Sequence, residues 1–439
     1  MASFGEDEQS VTDINKLLEE FTSERGGVIN ESVEFVKTDQ SGVAIVAKEA
    51  LKAGSIAIGV PYDVLLSAQK VMTYEPLRRI FVEQEQLRDF PDEVLAIGIM
   101  HAAVTGAECP WYKHVATFPV KSMNSTIFWK EDELEELKGC NVYILTQMMQ
   151  KQMEADWEAV HAALKQIYPD LLGGISLAMY KWAMSMIYSR AVGIENKEGK
   201  YERVIPPVLD FANHHPDEAE DTASVFHFDT ETNVLQFKIN KDKNAGDECL
   251  AVYGAYSNAK LAYNYGFVLV GNPHRGVDLW TKPGPNTSNG QVKRDILNKH
   301  DLTREQSYDF GGTLKPNYIS PALLSTLRIL NANAEELQQA DKIQRALNGK
   351  MMSVRNETAA YASLKELLEA NLKQERLVED KLDLHEKLAS GCDTANRKVI
   401  ALIIRIDEQE LYKETLAYLA KLTVELEEKG DDFSPPDGR

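Results

Sequence analysis

The spacing of hydrophobic positions changes twice along the chain. Between residues 42 and 67, Val43, Ile45 and Ala47 alternate with their neighbours, and Ile56, Ile58 and Val60 do so again. Period two predicts two strands. Lys52-Ala53-Gly54 between them reads as a turn, and Pro61 ends the second run. From 75 to 188 the spacing becomes helical: Val94-Leu95 with Gly98-Ile99, Ile144 with Met148-Met149, Trp182 with Met186-Ile187. Strands return after about residue 203. Residues 225–228 and 234–239 flank Asp229-Thr230-Glu231-Thr232-Asn233 and predict a β-hairpin. Leu250 and Val252 alternate in a further short strand, and a helix is expected between Ser257, a good N-cap, and Gly266, a good C-cap. Residues 271–318 are rich in Gly, Pro, Asn and Thr, and 276–318 read as an irregular connector. Beyond it, Leu364, Leu367, Leu368 and Leu372 form one apolar stripe, and Ile400, Ile403, Ile404 and Leu411 another, continued by Leu416, Leu419 and Leu422. This predicts an antiparallel helical bundle over 319–429, with 430–439 a disordered tail. The fold class is α+β: a strand-rich unit over 15–275, interrupted by a helical insertion at about 75–188, then an all-helical unit.

Composition narrows the possibilities. The chain has 439 residues, 44% of them hydrophobic, enough for two or three domains with cores of their own. Lys and Arg number 48 against 68 Asp and Glu, a formal net charge of -20. Phosphate binding is driven by Lys and Arg, so a nucleic-acid partner is not expected. A solvated acidic surface explains such a balance, and it also favours a cationic partner. Cys109, Cys140, Cys249 and Cys392 lie far apart with no CxxC pair, which argues against a zinc ribbon or finger and fits a reducing compartment. Residues 1–10, with Glu6, Asp7 and Glu8, resemble neither a signal peptide nor a transit peptide. The most apolar stretch, 399–406, is interrupted by Arg405 and is far shorter than the roughly 18 residues of a membrane span. The expectation is a cytoplasmic protein, with the nucleus also open to it, not associated with membranes, and monomeric because the carboxy-terminal stripes can be satisfied within one bundle.

Three short segments carry candidate chemistry. They are Ser189-Arg190-Ala191, then Pro207-Val208-Leu209-Asp210-Phe211-Ala212-Asn213-His214, then Gly246-Asp247-Glu248-Cys249-Leu250-Ala251-Val252-Tyr253-Gly254 running into Ser257-Asn258 and Tyr265-Gly266-Phe267. Taken singly each has a plain structural reading. Asp210 caps a turn more often than it does chemistry. Asp210 with His214 and His215 lacks a second group of ligands at metal spacing. Ser189 lacks the Gly-x-Ser-x-Gly elbow of a hydrolase.

Taken together, their order and spacing resemble the SET-domain protein methyltransferases, in particular the Rubisco large-subunit methyltransferase-like class. Upstream, Gly42-Val43-Ala44-Ile45-Val46-Ala47 with Ala53-Gly54 and Val60-Pro61 resembles the amino-terminal half of the SET fold. Trp111, Phe118-Pro119 and Ile127-Phe128-Trp129 resemble landmarks of that class's helical insertion, and Asn396-Arg397-Lys398 with Arg405 those of its carboxy-terminal substrate-binding domain. The resemblance spans roughly residues 15–425. Ser41 and Ala44 depart from the Glu and Gly common among relatives. Lys113-His114 replaces a common Pro-Tyr and reads as neutral.

The resemblance implies a β-clip SET fold and S-adenosylmethionine as cofactor. It implies that the segments carrying Asn213-His214 and Tyr253 lie side by side and form the site. Ser41, Gly42, Val43, Arg190, Asp210, Asn213, His214, Tyr265 and Phe267 would hold the cofactor, Arg190 meeting its carboxylate. Ser189, Arg190, Asp210 and Tyr265 would line the substrate channel, with Tyr253 the catalytic tyrosine and no metal required. The partner would be a soluble, non-histone protein substrate presenting a lysine side chain. One branch of the family methylates a histidine of actin; it carries Trp just before the Asp of the second segment and Asn two residues after the Arg of the first. Here those positions are Leu209 and Val192, which cannot hydrogen-bond an imidazole, so lysine is the expected target. The alternatives are a histidine methyltransferase, and a decayed SET protein that binds through its helical domain.

Overall fold

The computed structural model describes residues 11–38, 42–120, 123–169, 173–218, 226–277, 287–302, 319–372 and 376–435. The alternating runs form strands as expected. In chain order they are β1 (Val28–Ile29), β2 (Val33–Thr38), β3 (Gly42–Ala47), β4 (Ile56–Pro61), β5 (Leu66–Ser67), β6 (Val192–Glu195), β7 (Tyr201–Ile205), β8 (Phe226–Asp229) and β9 (Val234–Lys238). They make three small sheets: the pair β2-β3, the order β5-β7-β6, and the order β1-β4-β9-β8, antiparallel throughout. Ile58 lies opposite Phe237 and Val60 opposite Leu235, so the alternation puts four apolar side chains on one face. That face is buried with Ile45 and with Leu17 and Phe21 of the helix Val11–Ser23. The β8–β9 hairpin turns at the place expected, where Asp229 accepts from the Glu231 backbone N–H and the Thr232 hydroxyl and Asn233 takes a positive φ of 59°.

The strand expected at Leu250–Val252 is a correction. The segment makes only isolated bridges, Val46 with Glu248 and His214 with Ala251. The reason is visible in its hydrogen bonds. The Cys249 N–H donates to Ile45 on one side, and the Ala251 N–H donates to Asn213 on the other. The chain changes partner within two residues, so no ladder develops.

The insertion is helical, with its bulk in Glu75–Glu83, Pro91–Thr105, Asn141–Ile167 and Leu177–Arg190. Pro91–Thr105 is buried over every residue from Val94 to Ala102. Gly98 permits that burial, because a Cβ there would stand 2.6 Å from Val71 Cγ2. Ser176 caps Leu177–Arg190 by accepting from the Met179 N–H.

Cα packing divides the chain into two compact units. The first comprises Met1–Phe128, Thr146–Ala255 and Tyr263–Gly266; the second comprises Trp129–Leu145, Tyr256–Ala262 and Phe267–Arg439. The linear boundary expected at 275 is therefore corrected: Trp129–Leu145 and Tyr256–Ala262 pack with the carboxy-terminal helices. Arg397 shows why, lying over the Trp129 ring and pairing with Glu133.

The second unit is a helical bundle. Pro321–Asn331, Val354–Asn371 and Arg397–Lys429 enclose Leu323, Leu327, Leu364, Leu368, Leu411, Leu419 and Leu422. Arg328 and Glu357, both without solvent exposure, meet there in a two-point ion pair at 2.7 and 2.6 Å. Two details depart from the sequence reading. The helix Gly290–Lys299 forms inside the connector expected to be irregular, because Ile296 and Leu297 have a small core of their own to enter. In the tail, Gly430–Asp432 makes a helical turn and buries Phe433 in the bundle core, the one large apolar residue of that stretch. Residues 436–439 lie outside the described residues. Among the described residues no helix is long and apolar enough to cross a membrane.

Candidate active site

The reactive segments meet in the first unit. Ser189 and Arg190 end the helix Leu177–Arg190, and Ala191 leads straight into β6. After β7 the chain reverses sharply. The Leu209 N–H donates to Pro207 O at 2.8 Å, closing a three-residue turn around Val208, whose φ is 70° and ψ -43°. A β-branched residue at positive φ is strained by about 1–3 kcal/mol. The turn drives Leu209 and Phe211 into the core and delivers Asp210 beside Arg190.

Asp210 is the electrostatic centre. Its side chain has no solvent exposure, and its Oδ2 accepts from Arg190 Nη1 at 2.9 Å and from His114 Nε2 at 3.1 Å. Arg190 Nη1 also reaches the Asp210 carbonyl oxygen at 3.2 Å. Burial would raise the Asp210 pKa, but interaction with His114 and Arg190 outweighs it and holds the carboxyl below its ordinary value. The Phe118 ring lies under the Arg190 guanidinium at 5.2 Å and edge-on to His114 at 4.9 Å.

Beside this cluster runs a stack of three rings. His214 lies 5.1 Å from Tyr253 at an interplanar angle of 21°, and Tyr265 lies 4.6 Å from Tyr253 at 24°. The Tyr253 hydroxyl donates to Ala212 O at 2.8 Å, and the Tyr253 N–H donates to His214 Nδ1 at 3.1 Å. That bond requires Nδ1 to be unprotonated. Burial pushes the Tyr253 phenol well above its ordinary pKa; Arg190 draws it down, while Asp210 and Glu248 push it up. The phenol is therefore neutral at any physiological pH. Gly266 lets the chain turn past the third ring with φ 82°, and a Cβ there would strike Ser125 N at 2.6 Å.

Asn213 binds the segments together. Its amide donates to Val43 O at 3.2 Å and to Glu248 Oε1 at 2.7 Å. Both amide hydrogens are thereby used, leaving Oδ1 to accept. The Ala251 N–H donates to Asn213 O, and the His215 N–H donates to Ala251 O, so the second and third segments run side by side.

The structure thus brings together Val43, Arg190, Asp210, Asn213, His214, Tyr253 and Tyr265. Gly42 begins β3, opposite Thr38, with φ 75°. Ser189 turns back on its own helix, its hydroxyl donating to Ser185 O at 2.8 Å. Phe267 belongs to the second unit. Ser41 lies outside the described residues. Two residues escaped sequence reasoning. Glu248 was visible only as part of a turn motif. His114, read as a neutral replacement, is a correction: its ring is buried and bonded to Asp210. The signal was the departure itself, an aromatic hydroxyl exchanged for an imidazole.

Residues 284–411 match the family model described as Rubisco LSMT substrate-binding. Over 415 residues the chain is 21% identical to the actin-histidine N-methyltransferase of Mus musculus, covering 91% of this chain and 67% of that protein. With the Gallus gallus protein of the same name it shares 21% over 319 residues, 71% of this chain and 52% of the relative. The chain thus spans about half to two thirds of the length of these relatives. Among solved structures, the SET domain of LSMT bound to lysine and AdoHcy superposes with a TM-score of 0.78 at 18% identity, covering 95% of this chain and 93% of that one. Rubisco LSMT bound to AdoMet gives 0.74 at 19%, with the same coverage. The chain has the SET-domain fold of LSMT, α+β as expected, and matches the Rubisco LSMT substrate-binding model over residues 284–411.

Proposed function

We propose that the chain is an S-adenosylmethionine-dependent protein methyltransferase acting on a lysine side chain of a soluble, non-histone protein. The observation that carries the reading is the ring stack His214–Tyr253–Tyr265, fixed through Ala212 to the buried Arg190–Asp210 pair. The likeness to solved structures bound to AdoMet, AdoHcy and lysine supports it.

The residues present suit such a cofactor. Arg190 Nε and Asp210 Oδ1 are buried and have no hydrogen-bond partner. An orphan cationic donor beside an orphan anionic acceptor matches an amino-acid end group, with Arg190 taking its carboxylate. Gly42, Val43, Asn213 and His214 would complete the hold, Asn213 through Oδ1 and its backbone because its amide hydrogens are engaged. When bound, S-adenosylmethionine supplies an electrophilic methyl group on a positively charged sulfur.

The protein's own part is to receive and orient the amine. The amine must arrive uncharged, and burial in a channel next to a positive charge lowers its pKa. Tyr253 cannot act as a base, because its proton is held firmly and is donated to Ala212 O. Its oxygen lone pairs are left as acceptors. They suit an amine N–H or the polarised methyl hydrogens, which fixes the approach in line. The flat faces of His214 and Tyr265 keep Tyr253 from turning.

Lysine is favoured because Leu209 and Val192 pack against the first unit's hydrophobic core and present no polar atom to an imidazole. The similarity to actin-histidine N-methyltransferases favours histidine as the second reading. Incubation of the protein with isotopically labelled cofactor and a cell extract, followed by mass spectrometry of the labelled residue, decides between them. Tyr253→Phe should lower turnover on the identified substrate at least tenfold, with cofactor affinity little changed. A variant as fast as the wild type would remove Tyr253 from the mechanism.

A further inference from the structure

Arg190 meets Asp210 in an incomplete way. Only Nη1 is used, at 2.9 Å to Oδ2 and 3.2 Å to the carbonyl oxygen, while Nε and Oδ1 are buried without partners. A guanidinium and a carboxylate ordinarily prefer two parallel hydrogen bonds, and this chain achieves that between Arg328 and Glu357. Each buried orphan atom is costly. A two-point pairing of Arg190 with Asp210 would satisfy both orphans at once.

His114 stands against that closure. Its Nε2 lies 3.1 Å from the same Oδ2 that Arg190 uses, so one oxygen carries both donors and the carboxylate is pinned. The imidazole is itself fixed. It is buried, packed edge-on against Phe118, and set on the short helix Tyr112–Val115, with the Thr117 hydroxyl donating to the His114 carbonyl at 2.7 Å. Phe118 also lies against the guanidinium, so one ring sets the planes of both donors.

We propose that His114 is a positioning residue for methyl transfer: by holding Asp210 in one-point contact, it keeps Arg190 Nε open to receive the carboxylate of the cofactor. The proposal rests on the cofactor reading above. It makes His114 stabilising for binding and costly for the ligand-free protein, since the pair it holds apart would otherwise close.

The test uses His114→Phe, which keeps a ring against Phe118 but cannot donate, and His114→Gln, which restores a donor. Affinity for S-adenosylmethionine and for decarboxylated S-adenosylmethionine is measured by calorimetry, and thermal unfolding is measured without ligand. In His114→Phe, affinity for S-adenosylmethionine should fall about tenfold or more, the size of one charge-assisted hydrogen bond. Affinity for the decarboxylated compound should stay within about twofold, and the ligand-free unfolding temperature should hold or rise. His114→Gln should recover most of the lost affinity. Equal losses for both compounds, unchanged binding in His114→Phe, or a fall in unfolding temperature that parallels the loss of affinity would each overturn the proposal. A wild-type protein that binds neither compound would overturn the cofactor reading itself, and this proposal with it.

Discussion

At Val208 two demands pull against each other. The turn after β7 holds φ at 70°, a conformation that glycine adopts freely, while the core holds a branched side chain with no solvent exposure. Val208→Ala should lose about 1.5–3 kcal/mol, because two buried methyl groups go and the strain stays. Val208→Gly loses slightly more side chain but releases about 1–3 kcal/mol of strain. Glycine should therefore be at least as stable as alanine here, against the usual order. Urea unfolding of the two variants checks this; alanine ahead by about 1 kcal/mol would mean that the turn carries no strain. The residues that sequence order could find were those whose types recur in a fixed sequence, such as Asn213-His214 and Tyr253. His114 was hidden because its partner Asp210 is 96 residues away, and its bond exists only once the insertion has folded back. Strain at Val208 was equally invisible, since nothing in a Pro-Val-Leu run announces a positive φ.

Among the helices, the long element Arg397–Lys429 carries a carboxylate in an unfavourable place. Asp407 Oδ2 accepts from Asn258 Nδ2 at 2.7 Å, and the same amide clamps Leu269 through its carbonyl and N–H at 2.9 and 2.8 Å. Burial, reinforced by Glu410, lifts the Asp407 pKa to about 6, although Asn258 and Arg275 oppose the shift. A carboxyl raised above its unfolded value favours the folded state when protonated. Its contribution is present at low pH and is lost as pH rises from about 4 to about 6. Between pH 5 and 7.5 the wild type should lose about 1 kcal/mol more stability than Asp407→Asn, whose amide can still pair with Asn258. Chemical denaturation at the two pH values measures this, and parallel curves would show that Asp407 titrates normally. Elements with long periodic patterns, such as this helix and the β8–β9 hairpin, were readable from sequence. Gly290–Lys299 was not, because its two core residues sit between Gly- and Asn-rich flanks. The segment around Ala251 was misread because alternation predicts an extended chain but not which neighbours it will bond.

At the scale of the whole molecule, the formal charge of -20 is the property that local reasoning leaves unassigned. Many of the acids are locally answered, as in the pairs Arg275–Glu414, Lys381–Glu410 and Arg397–Glu133 of the second unit. Such pairs add little stability where they are exposed and do not alter the net field. Under the proposed function, an acidic molecule gains from that field in the encounter with a segment that presents a cationic side chain. The charge of the approaching segment is felt over about 8 Å at physiological salt and over about 3 Å at 1 M. Methylation of the identified substrate should therefore lose kcat/KM steeply with added salt, by about tenfold between 50 mM and 500 mM, while kcat stays nearly constant. Cofactor affinity serves as the internal control, because the buried groups proposed to hold it are screened far less than the surface. A kcat/KM that is flat in salt would mean that the acidic surface serves solvation alone. A parallel fall in cofactor affinity would place the salt effect inside the site instead of in the encounter.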